Sequence, residues 1–297
     1  MSTTAPPSPS IDYPELFTSA DQAAAENQRL FFLLKVVELG ALSGGAVLGL
    51  LSSDDLWGAA GIAAVLCFLA AAGVRISGAG QRAEKRWYDA RAAAETVKSL
   101  SWQYAVRGEA FRSSDPSPEA TFVSRLQGVL GGLPHLNIPA ATASNAGATD
   151  TMRALRGADQ AERCRSYREH RVDDQVGWYG RKASWNKARS RWWSASVIGI
   201  ELAAVCLGVL RVAGRIDLDL LGVFGAVAAG FIAWIQAKNY TELSESYAVT
   251  SHDVALVSEA VHSGVPEDAW AQSVHDAEGA FSREHTMWLA RKQGRQV

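Results

Sequence analysis

The sequence predicts an all-α integral membrane protein with two transmembrane helical hairpins. That makes four spans, with both termini cytoplasmic and long cytoplasmic helices forming a bundle. Three observations lead there. Four apolar stretches each approach the roughly 20 residues, at about 1.5 Å rise apiece, that a spanning helix needs. The links inside each pair are short enough to force antiparallel helical hairpins. Positive residues gather on one side of both pairs, while the first link carries Asp54 and Asp55 and no positive charge. A formal net charge of -2 over 297 residues carries no signature of nucleic acid, and no nucleic-acid partner is expected.

The elements follow in order. The start, MSTTAPPSPS, lacks a basic region and an apolar core, so residues 1–20 are expected to be a disordered leader and not a secretory signal. A first module is expected over residues 21–133. Its first span runs from about Phe31 to Leu51, with Lys35 near one end and Glu38 inside it. Ser52 to Leu56 link it to a second span, Trp57 to Ile76. Gly40, Gly44, Gly45 and Gly49 place small residues at helical spacing, which permits close helix packing in lipid. Arg75, Arg82, Lys85, Arg86 and Arg91 follow, then a helix with Trp87, Ala94 and Ser101 alternating with Ala90, Val97 and Tyr104 at heptad spacing. Ser113 to Pro118 is a turn-rich break. Phe122, Leu126 and Val129 make a short amphipathic helix expected to pack on the bundle, and residues 134–150 read as a linker.

A second module is expected over residues 151–297. Arg181, Lys182, Lys187, Arg189 and Arg191 precede a third span, Trp192 to Val212. A link with Gly214, Arg215 and Asp217 leads to a fourth, Leu218 to Ile235, whose Gly222, Gly225 and Gly230 again favour close approach. The positive-inside rule puts both hairpin tips outside. Trp57 then belongs to the outer interface, and Trp192, Trp193 and Trp234 to the inner one. Beyond the fourth span, Tyr240, Tyr247, Val254 and Val261 alternate with Leu243, Thr250 and Val257. Pro266 opens a last helix whose Trp270, Val274, Phe281 and Trp288 are expected to fold back on the bundle.

The two halves repeat one order of parts. Asp21-Gln22 precedes the first hairpin and Asp174-Gln175 the second. Asn27 and Glu38 parallel Asn186 and Glu201, and Tyr88 parallels Tyr247. Both halves enter from the same side, so the repeats are parallel, as in ring-forming membrane proteins.

Chemistry-bearing motifs are few. Cys67, Cys164 and Cys206 form no disulfide framework or metal spacing. His275, Glu278 and His285 match no known metal site and read as a bundle surface. There is no Gly-rich phosphate loop and no nucleophile elbow, so neither an enzyme nor a cofactor is expected. The intramembrane acids stand out instead. Glu201 falls near the middle of the third span, where an ionised group is costly. Two roles fit it: a pore-lining group that favours cations, or a protonated acid that joins helices by hydrogen bonding. Glu38 is expected to pair with Lys35 three residues before it, both reaching toward the cytoplasm.

Hairpins and flanks together resemble the SLATT family of bacterial two-span effector domains. The second half carries the resemblance in Tyr167, Arg168, Arg171, Asp174-Gln175, Trp178-Tyr179, Lys182, Asn186, Ala233-Trp234, Tyr240, Leu243, Tyr247, Glu284-His285 and Trp288. The first half is similar in Ala83, Glu84, Trp87-Tyr88, Arg91, Glu95, Lys98 and Trp102-Gln103-Tyr104. The resemblance implies a homo-oligomeric pore or channel of the bacterial inner membrane, acting as an effector in defence. Trp87, Tyr88, Asp174, Gln175, Trp178, Tyr240, Tyr247, His285 and Trp288 are then candidates for gating or packing on the cytoplasmic side. Its implied partners are the lipid bilayer and a nucleotide second messenger or sensor protein. The alternative is a membrane-anchored helical scaffold or signalling adaptor without conductance. A secondary transporter fits less well, because the spans show no interruption.

Overall fold

The computed structural model describes residues 10–51, 58–133, 146–216, 220–261 and 264–293, with side chains for all of these except 51, 260 and 282–293. Asp54, Asp55, Trp57, Asp217 and Asp219 lie outside the described residues, as do the side chains of His285 and Trp288. The order is α1 (Glu15–Leu51), α2 (Ala59–Ile76), α3 (Ala79–Ala105), α4 (Pro118–Gly131), α5 (Asp150–Gly157), α6 (Gln160–Tyr167), α7 (Asp173–Val212), α8 (Leu221–Lys238), α9 (Tyr240–Ala260) and α10 (Glu267–Gln293). A 3-10 turn covers Glu109–Phe111 and a π-helical turn covers Arg168–Val172, and the described residues contain no strand. Four helical stretches are long and apolar enough to cross a membrane, and they contain α1, α2, α7 and α8.

The tandem halves share their breaks as well as their spans. α2 and α8 are each 18 residues long, and each is followed by a left-handed residue, Gly78 at φ 64° or Asn239 at φ 53°. Gly and Asn are the residues that reach this conformation most readily, so each stops a helix and lets another begin. α1 and α7 instead run on without a break for 37 and 40 residues.

The chain forms two compact units, and each draws on both halves. The core unit comprises Met1–Ala25, Arg86–Ala183 and Glu245–Val297. Its interior is aromatic. Trp102, Tyr104, Phe111, Phe122, Tyr167 and Trp270 are all buried, with Met152, Leu155, Val97 and Val254 packed among them. The ring of Tyr167 meets Trp102 and Trp270 edge-on at 5.8 and 6.1 Å between centroids. The indoles still need acceptors: Trp102 donates to Tyr13 Oη at 2.9 Å and Trp270 to the Val106 carbonyl at 2.6 Å. Both heptad seams face this interior, as Ala90, Val97, Tyr104, Thr250, Val254 and Val261 are buried. The amphipathic helix α4 inserts Phe122 and Leu126, and α10 folds back through Trp270, Val274 and Phe281.

Residues 10–20, the described part of the stretch expected to be a leader, belong to the core unit. Ile11 and Ala20 are buried and α1 starts at Glu15. Thr151 Oγ1 accepts from the Asp12 amide at 2.8 Å, while Thr149 Oγ1 donates to the Asp12 carbonyl at 2.9 Å. Thr149 also caps α5 by accepting from the Met152 amide, so the end of the expected linker is held in place.

The membrane unit comprises Glu26–Lys85 and Ser184–Ser244. Small residues set its contacts. A Cβ on Gly45 would sit 3.1 Å from the Phe68 ring of α2, and one on Gly230 of α8 would sit 3.1 Å from Ser43 Oγ of α1. α7 meets α8 through Gly208 against Leu221 and Trp193 against Phe231. The outward surface is apolar: Leu33, Leu66 and Leu69 are exposed, and so are Ile198, Leu202, Val205 and Val209. Such a surface is unfavourable in water and natural in hydrocarbon, where helices satisfy their own backbone hydrogen bonds.

Candidate functional site

The two intramembrane acids occupy opposite environments. Glu38 is 5 % exposed. Its Oε2 accepts from Lys35 Nζ at 3.0 Å, the pair anticipated from their spacing. Its Oε1 accepts from Arg75 Nη2 and Nε at 2.7 and 3.0 Å. Arg75 stands at the end of α2, so the carboxylate ties the two helices of the first hairpin together. The sequence shows Arg75 only as one of several flanking positive charges. Its role as a counter-charge appears when the antiparallel hairpin sets the end of α2 beside Glu38. Glu38 is therefore a neutralised, buried junction and not a free group on the surface of a span.

Glu201 has no such partner. It is exposed on α7 beside Ile198, Leu202 and Val205, which are 56, 61 and 61 % exposed. No hydrogen bond or ion pair engages it among the described residues. Among the described residues its side chain joins no two helices.

At the end of the second hairpin away from its link, aromatic residues converge. Trp193 lies 6.4 Å from Trp234 between ring centroids and 5.3 Å from Phe231. Phe32 meets Trp234 at 5.8 Å, and Lys238 Nζ sits 3.2 Å from the Phe32 centroid and 4.9 Å from that of Trp234. Tyr240 is buried and stacks edge-on with Trp185 at 6.0 Å. Trp192, also expected at this interface, is exposed.

The remaining candidates belong to the core unit. Trp178 and Tyr179 both meet Tyr247, at 5.4 and 5.8 Å, and Lys182 Nζ lies 5.6 Å from the Trp178 ring. Trp87 stacks on Tyr88 at 4.5 Å. Asp174 is exposed at the start of α7 and Gln175 is partly buried. Trp178 and Tyr179 of α7 thus pack on Tyr247 of α9, while Trp87 and Tyr88 are neighbours on α3.

A polar centre in the core unit is more specific. Arg171, in the π-helical turn, donates through Nε and Nη2 to Glu278 Oε1 and Oε2 at 3.0 and 2.7 Å, with both side chains 2 % exposed. Tyr167 Oη donates to the same Oε1 at 2.9 Å, and the Arg171 guanidinium lies 4.8 Å from the Phe281 ring centre. Lys98 on α3 is close by. Burial lowers its pKa from the usual lysine value, and the Arg171 charge adds to that. Burial likewise raises the pKa of Tyr13. Glu278 was expected on a bundle surface. The contrary signal lies in the sequence: it falls four residues after Val274 and three before Phe281, on the apolar face of α10. No group of three or more metal-ligating residues occurs among the described residues.

Two family models match the chain in tandem. One, described as "SMODS and SLOG-associating 2TM effector domain 3", covers residues 14–164. The other, "SMODS and SLOG-associating 2TM effector domain 1", covers residues 167–288. No curated protein and no solved structure matches the chain.

Proposed function

The chain belongs to the SLATT family of membrane effector domains, two copies in tandem, and from that premise we propose that it is an oligomeric membrane pore or ion channel. In this reading it acts as an effector in bacterial conflict signalling and sits in the inner membrane with both hairpin tips outside. The observation that carries the reading is Glu201, unpartnered and exposed on the apolar surface of a spanning helix. A carboxylate at the centre of a spanning helix costs about 2.5–3.5 kcal/mol on insertion scales. A ring of such acids around a hydrated axis removes that cost and favours cations. The trigger is a nucleotide second messenger or a sensor partner acting on the helices of the core unit.

The test is conductance of the purified full chain in planar bilayers. Channels are expected, and Glu201→Gln is expected to reduce cation over anion selectivity and to flatten its dependence on pH. Bilayers that stay silent across voltages and candidate nucleotides would overturn the proposal.

The scaffold reading retains one observation in its favour: the large aromatic interior of the core unit, which needs no pore to be useful. It requires that Glu201→Leu leave cellular function intact while disruption of α10 at Trp270 abolishes it.

A further inference from the structure

Around Lys238, buried hydrogen-bond donors outnumber the acceptors that meet them. The indole nitrogens of Trp193 and Trp234 are both buried; that of Trp193 approaches the Tyr240 hydroxyl without a well-formed hydrogen bond, and that of Trp234 has no acceptor. Lys238 has no acidic partner among the described residues and lies over two aromatic rings instead. Glu242, one turn on, is engaged by the Asn239 side-chain amide at 2.5 Å. Buried donors without acceptors cost about 1–3 kcal/mol each, more when charged, and such a set calls for an anion. The flanking sequence strengthens the field: between Asp174 and Glu201 there is no acidic residue, while Arg181, Lys182, Lys187, Arg189 and Arg191 all fall there.

From this geometry we infer a binding site for the phosphodiester of an anionic phospholipid at the end of the α7/α8 hairpin away from its link. Lys238 Nζ supplies the charge and the Trp193 and Trp234 N–H groups supply direction. Lys238 is the movable part. Its four-carbon stem swings off the Phe32 ring to bring the ammonium onto the phosphate. The source is a lipid and not a free anion, because the donors stand where two spans end and the exposed apolar surface of α7 begins, at Trp192 and Ile198. A headgroup lacking its own cation is preferred, since a choline or ethanolamine ammonium would compete with Lys238 for the phosphate. The site requires insertion in a membrane but does not depend on whether the protein conducts.

The full chain, purified in non-ionic detergent, is titrated with phosphatidylglycerol or phosphatidylcholine, and retained lipid is read by native mass spectrometry. Wild type is expected to retain phosphatidylglycerol in preference to phosphatidylcholine. Lys238→Gln is expected to weaken that retention about tenfold, the loss of one charge-assisted contact. The paired Trp193→Phe and Trp234→Phe variant keeps the rings and removes only the N–H groups, and it should weaken retention as well. Lys187→Gln with Arg191→Gln, which lowers the surrounding field alone, should weaken it less than Lys238→Gln does. Unchanged retention in Lys238→Gln, equal retention of the two lipids, a larger loss in the Lys187/Arg191 control, or displacement by millimolar inorganic phosphate would each overturn the inference.

Discussion

At Glu38, three charged groups from two helices meet within the first hairpin. The carboxylate is buried, while Arg75 reaches it from a largely exposed position. Glu38→Gln keeps one accepting oxygen where there were two and leaves the charges of Lys35 and Arg75 uncompensated. Glu38→Gln is expected to destabilise the protein by about 1–3 kcal/mol, measured as thermal unfolding in detergent. Glu201→Gln in the same assay is expected to stay within about 0.5 kcal/mol of wild type, since no partner among the described residues is lost. An equal loss from both substitutions would contradict the contrast drawn between them. The Lys35–Glu38 pair was legible from spacing along one helix. Arg75 was not, because which residue of α2 lies opposite Glu38 depends on how the hairpin packs.

Among elements, the π-helical turn and α10 are joined by the pair of Arg171 and Glu278, with Tyr167 as a third donor. A π-helical turn adds a residue to the helix and turns its side chains out of the ordinary register, a feature often kept at functional positions. Here it places Arg171 inside the core unit. Breaking a buried pair by removing one partner costs about 3–5 kcal/mol, whereas replacing both by apolar groups is often neutral. Arg171→Met is therefore expected to lower the unfolding midpoint strongly, and Arg171→Met with Glu278→Leu to recover most of it. Tryptophan fluorescence of the full chain reports this directly, because Trp102 and Trp270 are buried in the same core. The fold-back of α10 was legible in the spacing of Trp270, Val274 and Phe281. The carboxylate on that face reads as a surface group because Glu is most often one.

Over the whole molecule, the repeat in sequence and the compact units in space divide the chain differently. Each unit takes segments from both halves, and α1 and α7 each contribute residues to both units. The aromatic core of the core unit joins Trp102, Tyr104 and Phe122 of the first half to Tyr167, Val254 and Trp270 of the second. Neither family match by itself contains a complete core. Residues 1–164 or 165–297 produced separately are expected to be protease-sensitive, and co-production of the two is expected to restore resistance. A protease-resistant single half would show that each module holds its own core.

The sequence by itself determined the helical class, the four membrane-capable stretches, the tandem repeat and the family. These follow from length, composition and order: a long apolar run in lipid has to satisfy its own hydrogen bonds, and the helix does so locally. Tertiary structure decided which acid is neutralised and which is left open, what Glu278 holds, and that Lys238 lies on aromatic rings beside two buried indole nitrogens. Those outcomes depend on the rotation of each helix about its axis. In spans apolar on nearly every side, side-chain periodicity does not set that rotation, and only the packing of small residues such as Gly45 and Gly230 against their neighbours does.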